Sequence, residues 1–227
     1  MQTTESITVS EIAAKSLAAV RVFERLGIDY CCGGKRPLTD VCRQKGYDPA
    51  AVRSELDEAE KATRDTIRDW NTAPLQELID HIVRTHHAYL DRELPALSVR
   101  LEKVYRVYNQ RYGETLPGLL EVYAGLRSEL EMHMRKEEMV LFPAIAAHKP
   151  FAALENPIAT LEAEHETAGE ALAKIREITK DFDIPEYACV TYRALMTGLQ
   201  ELEQDLHMHI HLENNVLFPR AMQPEAA

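Results

Sequence analysis

The chain is poor in the residues that build sheets and turns. It has only 9 glycines, and aromatics make up 7% of it, a composition that suits packed helices better than a strand-rich fold. Nowhere is there a run of about 18 apolar residues, so no segment reads as a membrane span. The opening Met1-Gln-Thr-Thr-Glu-Ser6 has neither a basic stretch nor an apolar one, and no secretory signal is expected there. The 4 cysteines are too few to read as a disulfide framework. Positive charge is also short: the net of −11 argues against nucleic acid, which needs a basic footprint. Phosphate loops, glycine-rich nucleotide fingerprints and a serine-histidine-aspartate set are absent, so hydrolase and nucleotide-dependent readings find no support. A cytoplasmic, soluble, all-α protein is the expectation.

What is present is a phrase written twice. His133-Met-Arg-Lys-Glu137-Glu-Met-Val-Leu-Phe-Pro143 returns 76 residues later as His209-Ile-His-Leu-Glu213-Asn-Asn-Val-Leu-Phe-Pro219. Each copy sets a histidine and a glutamate one helical turn apart on a single face. From Pro74 onward the apolar periodicity is helical almost throughout. One row reads Val83, His87, Leu90, Leu94, Leu97, Leu101, Val104 and Tyr108, with Pro95 expected to kink its helix. The others read Leu119, Tyr123, Leu126, Leu130, His133, Glu137, Val140; then Ile158, Leu161, His165, Ala168, Leu172, Ile175, opened by Asn156-Pro157; then Leu195, Leu199, Leu202, Leu206, His209, Glu213, Val216. Four such seams with short connections predict an antiparallel four-helix bundle.

Six polar residues therefore sit where leucines are expected: His87, His133, Glu137, His165, His209 and Glu213. His87 and His165 are 78 apart, which completes the duplication. A lone histidine in a seam is ordinarily a hydrogen-bonded core residue. Six coordinated exceptions call for something that compensates them all, and a pair of metal ions does so. Imidazole with carboxylate suits iron, manganese or zinc; zinc fits less well, since its structural sites are closed, four-coordinate and often cysteine-rich. His86 competes with His87, fitting the upstream row Leu75, Ile79, Ile82, but the His87 row continues apolar and His87 is preferred. His207 and His211 are expected to face solvent, and His81 to lie at the surface or behind a ligand. Glu138 and Glu164 are candidates to receive the outer N–H of a ligating imidazole, against the commoner role of surface charge.

Ahead of the bundle, Ser10 is the expected cap of a helix running to about Leu26 and stopped by Gly27. Helices are also expected over 38–45 and from Ala50 to about Lys61. The division is residues 1–62 as a small helical domain, 63–72 as linker and 73–227 as the bundle. Cys31-Cys32-Gly33-Gly34 lies in the small domain's loop. Lys35 and Arg36 nearby would favour thiolate, and the glycines would let a partner or a metal approach. Two small apolar residues packing a loop is the plain alternative. Cys42 and Cys189 are expected to be buried.

The Asp29-Tyr-Cys-Cys-Gly-Gly-Lys35 segment followed by such a bundle resembles the iron-sulfur cluster repair di-iron proteins, the repair-of-iron-centres family. The resemblance implies a hemerythrin-like bundle with two non-haem irons, oxo- or hydroxo-bridged. His87, His133, His165 and His209 would be terminal ligands, and Glu137 and Glu213 bridging ones. It implies that Cys31 and Cys32 matter for function. It also implies a role in restoring iron-sulfur clusters damaged by nitrosative or oxidative stress, by supplying iron or handling nitric oxide, with damaged iron-sulfur proteins as partners and a homodimer allowed. Oxygen-carrying hemerythrins resemble the bundle too, but use more histidines and end the last helix with a His-x4-Asp arrangement. An oxidoreductase reducing nitric oxide or dioxygen, and an oxygen- or iron-sensing module, are the alternatives.

Overall fold

A computed structural model describes residues 7–31, 33–63, 68–112 and 115–223. It is all-α: among the described residues there is no strand, only an isolated bridge between Thr8 and Pro37. Cys32 lies outside the described residues. The chain forms two compact units, one of 1–79 with 207–227 and the other of 80–206. The division falls inside two continuous helices.

In the first unit, α1 (Val9–Lys15) and α2 (Leu17–Arg25) replace the single helix expected from Ser10. Thr8, not Ser10, is the cap. Thr8-Val-Ser-Glu11 is a reciprocal capping box, with the Glu11 N–H donating to Thr8 Oγ1 at 3.2 Å and the Thr8 N–H donating to Glu11 Oε2 at 2.8 Å. Ser16 leaves the helical region and caps α2 through the Ala19 N–H at 3.3 Å. Gly27, at φ 61°, takes the left-handed turn that ends α2. Next come α3 (Leu38–Lys45), over the expected span, and α4 (Pro49–Thr63). Phe23, Tyr30, Leu38, Cys42, Val52 and Leu56 share a core with Ile210, from the chain's far end. The Arg220 guanidinium ties the same end down, donating at 2.6 Å to each of the Trp70 and Ala73 carbonyls.

In the second unit, the long helices α6 (Ala88–Tyr112), α7 (Thr115–Lys136), α9 (Phe151–Thr179) and the first part of α10 (Val190–Leu212) close one core of leucines with Tyr108, Tyr123 and Tyr192. Tyr123 donates its hydroxyl to the Leu94 carbonyl at 2.8 Å, beside Pro95 inside α6. Asn156-Pro157 does not open α9. The helix starts at Phe151 behind Pro150 and carries Pro157 within it. At the far end of α9, Lys180, Asp181 and Phe182 all have positive φ (52°, 60° and 59°), a run that L-residues rarely sustain. It is held by Arg176, whose guanidinium pairs with Asp181 at 2.8 Å, lies over the Phe182 ring at 4.9 Å and grips buried Glu203 through Nε at 3.0 Å.

Three π-turns interrupt the helices: Val83–His87 between α5 (Leu75–Ile82) and α6, Glu137–Leu141 between α7 and α8 (Phe142–Ala146), and Glu213–Leu217 between α10 and α11 (Phe218–Ala221). Each inserts one residue and rotates the downstream helix face by roughly 100° relative to the preceding one. That reconciles the competing histidine rows, because the turn switches the buried stripe from Ile79, Ile82 and His86 to His87, Leu90 and Leu94, and both histidines end buried. It also corrects the α7 row. Val140 is 57% exposed, and Leu141 and Phe142 go inside instead. Cys189 is likewise exposed rather than buried, at the start of α10, while Cys42 is buried.

Candidate metal centre

Every π-turn begins or ends on one of the six singled-out residues: His87 closes the first, Glu137 opens the second and Glu213 the third. Such single-turn widenings recur at functional sites. Here each places a polar donor at the point where the buried stripe switches from one row to the next.

Within the 80–206 unit, four of the six converge. Glu137 is 0% exposed. Its Oε2 lies 3.3 Å from His87 Nε2 and its Oε1 lies 3.4 Å from His133 Nε2. His133 Nε2 in turn lies 2.9 Å from His165 Nε2. Ligand atoms of His133, Glu137 and His165 fall within 4.8 Å of one another. In the other unit, His209 Nε2 lies 3.0 Å from Glu213 Oε1, and both residues are buried.

Neither Glu137 oxygen has a hydrogen-bond partner among the described residues. A carboxylate taken wholly out of water in that condition is costly unless a cation compensates it. Within the 80–206 unit the donor atoms that face it are imidazole nitrogens, each able to offer a lone pair. The donor set therefore fits a metal ion better than it fits an uncharged core.

The outer faces of two imidazoles are also organised, which the reading of Glu138 and Glu164 as surface charge did not anticipate. His87 Nδ1 lies 2.7 Å from Glu138 Oε1, and His133 Nδ1 lies 3.0 Å from Glu164 Oε2. With Nδ1–H donated outward to a carboxylate, the Nε2 lone pair faces inward, the arrangement that metal-bound histidines ordinarily show. Burial pushes the Glu164 carboxyl up, but hydrogen bonds from Lys136 and His133 outweigh it and hold the group below the usual carboxylate value. The sequence offered both glutamates for this role but not the imidazole each one meets, because each contact joins residues on different helices.

His86 is not among these donors. It is buried beside Asp205, its Nδ1 2.9 Å from Oδ1, with the His81 ring edge-on at 5.8 Å. His207 is half-buried and His211 only 1% exposed, so neither is the solvated residue that helix angle predicts. Both lie against the Tyr30 ring, at 6.1 and 5.4 Å between centroids. Burial pulls the His211 imidazole down to about 4, offset in part by backbone hydrogen bonds to Ala13 and Tyr30. Their helix carries His209, and thus the loop that bears Cys31 is seated on that same stretch of α10.

In that loop, Cys31 is buried and its thiol donates to Asp29 Oδ1 at 3.3 Å. The Asp29 carboxylate also accepts the Cys31 N–H at 3.0 Å and the Gly33 N–H at 2.8 Å. Nearby, the Arg36 guanidinium donates to Gln44 Oε1 at 2.6 Å. The glycines serve the chain's own packing. A Cβ on Gly34 would stand 2.5 Å from the Tyr30 carbonyl oxygen and 2.9 Å from Ser10 Cβ.

Residues 78–221 match the hemerythrin HHE cation binding domain family, and residues 5–60 match a domain of unknown function, DUF542. The chain is 40% identical over 218 residues to the iron-sulfur cluster repair protein YtfE of Citrobacter koseri, covering 96% of this chain and 97% of that one. The protein of the same name from Escherichia coli O157:H7 is 40% identical with the same coverage, and that from Shigella boydii 39%.

Proposed function

The chain belongs to the iron-sulfur cluster repair family of hemerythrin-like proteins, and from that premise we propose that it repairs iron-sulfur clusters damaged by nitrosative or oxidative stress, using a non-haem di-iron centre. The observation that carries the metal centre is Glu137, fully buried, without a hydrogen-bond partner among the described residues and flanked by two imidazoles. His87, His133, His165 and His209 would be terminal ligands, with Glu137 and Glu213 shared between the ions. Inclusion of the second pair is supported by the register of α10. Its buried row of Leu195, Leu199, Leu202 and Leu206 belongs to the bundle core and runs on, three and seven residues later, as His209 and Glu213. A cysteine-free set of imidazoles and carboxylates, large enough to serve two ions, supports iron over a closed four-coordinate zinc site.

Six protein donors shared between two ions would leave coordination positions open. Iron held there would supply both a transferable ion and a place for nitric oxide to bind. The chain's own contribution is to exclude bulk water with leucine rows, present Nε2 lone pairs inward and hold two carboxylates where they neutralise the ions. Damaged iron-sulfur proteins are the proposed targets and the cytoplasm the proposed location. Among the described residues no helix is long and apolar enough to cross a membrane. Residues 1–62 are the proposed client- or thiol-handling domain, with Cys31 and Cys32 as its working pair, 63–72 the linker, and 73–227 the iron domain.

Metal analysis with Mössbauer spectroscopy on the full chain is the test. Two antiferromagnetically coupled irons per chain are expected, lost in Glu137→Leu and in Glu213→Leu; wild-type spectra in either variant would remove the centre. Cys31→Ser and Cys32→Ser should keep the iron spectrum while impairing restoration of a damaged iron-sulfur enzyme.

A further inference from the structure

The two imidazoles backed by carboxylates are not backed alike. Glu138 Oε1 stands 2.7 Å from His87 Nδ1, and that is the one side-chain polar contact Glu138 makes among the described residues. Arg135 shares a cleft of about 380 Å³ with Glu138, alongside Asp91 and Glu131, but does not pair with it. Glu164 Oε2 stands 3.0 Å from His133 Nδ1, and its Oε1 accepts from the Lys136 ammonium. The ring planes are set differently as well. His87 stacks on Phe142 with centroids 5.8 Å apart and 21° between planes, whereas His133 tilts against His165 at 4.6 Å and 56°.

A carboxylate that accepts an imidazole N–H feeds electron density into the ring and strengthens its other nitrogen as a donor. An ammonium on the carboxylate's second oxygen draws part of that charge away. The Glu138–His87 contact is direct at 2.7 Å, and the rest of the Glu138 side chain, 46% exposed, faces solvent rather than a cation. His87 is thus backed by a carboxylate that no cation shares among the described residues, and His133 by one shared with Lys136.

We propose that Glu138 and Glu164 are positioning residues that make the two halves of the centre unequal, so that iron held through His87 is retained and iron held through His133 is the one surrendered. The inference rests on the di-iron reading above. It assigns the transferable ion to a particular imidazole, and Lys136 becomes the residue that loosens it.

The test loads the full chain with iron-57 and follows release to ferrozine under reducing conditions, with Mössbauer spectra taken before release. Wild type should lose its iron in two equal phases. Lys136→Met should slow the fast phase, and Glu138→Gln should speed the slow one, each by about tenfold. Glu164→Gln should speed the fast phase further. In the spectra, Glu138→Gln should shift one quadrupole doublet and Lys136→Met the other, a signature that a merely structural role would not move. Wild type with two irons leaving in a single phase overturns the inference, as does any pair in which Glu138→Gln and Lys136→Met change the same phase. Should Glu138→Gln fail to fold, Lys136→Met decides alone, and an unchanged fast phase overturns it. Wild type that binds no iron overturns the di-iron reading itself, a failure visible before any variant is made.

Discussion

The two copies of the His-x3-Glu phrase share a local structure and differ in everything around it. Both run from α-helix into a five-residue π-turn that opens on the glutamate, Glu137–Leu141 and Glu213–Leu217, and both bury the phenylalanine next in sequence. Beyond that they part. Val140 is 57% exposed and its counterpart Val216 is 2% exposed. Met139 is 76% exposed, whereas Asn215 in the same slot donates toward the Tyr30 carbonyl at 3.5 Å and meets His211 Nδ1 at 3.0 Å. Glu138 turns back to His87; Asn214 has no charge with which to do so. The first copy leaves the outer face of its π-turn, Met139 and Val140, exposed. The second is covered by the Tyr30-Cys31 loop and by α1. The phrase itself sets the π-turn and the inward pair, and the surroundings decide what else each copy can do.

The sharpest way to break that comparison is a charge at the equivalent valine. Val216→Asp should lose about 4 kcal/mol or more by burying an unpaired carboxylate, while Val140→Asp should stay within about 0.5 kcal/mol. Urea denaturation of the metal-free chain measures both, and equal losses would mean the copies are environmentally alike. A gentler version truncates. Val216→Ala should cost about 2 kcal/mol and Val140→Ala close to none. The smallest effect belongs to Asn215→Ala, about 1 kcal/mol for hydrogen bonds to Tyr30 and His211, with Met139→Ala neutral in the same titration. An Asn215 variant as stable as wild type would show that these two hydrogen bonds do not hold the loop in place.

Much of this was legible beforehand. The leucine rows, the duplicated phrase and the six misplaced polar residues are all visible in spacing, because a helix repeats its face every three to four residues and a buried charge stands out against leucine. The π-turns were not legible as such. A one-residue insertion leaves the apolar count unchanged and shows only as two rows competing for one stripe, as with His86 against His87. The exposed Val140 follows from the same insertion. His211 was misplaced for another reason: angle around α10 says which way it points relative to His209, not that Tyr30 comes over the far face. Pro157 inside α9 shows that a turn-forming pair can be overridden when the preceding segment already has Leu154 to bury.

Sequence alone determined the helical class, the inward row and the donor types, since periodicity and residue chemistry are properties of a chain read locally. Tertiary structure decided the backing of each imidazole, the covering of the second phrase and the company of Cys31. Those depend on contacts such as Glu138 with His87, Glu164 with His133 and Tyr30 with His211, where the partners lie far apart along the chain or on different helices. The strength of a hydrogen bond or a charge falls with distance in space, which the order of residues does not state.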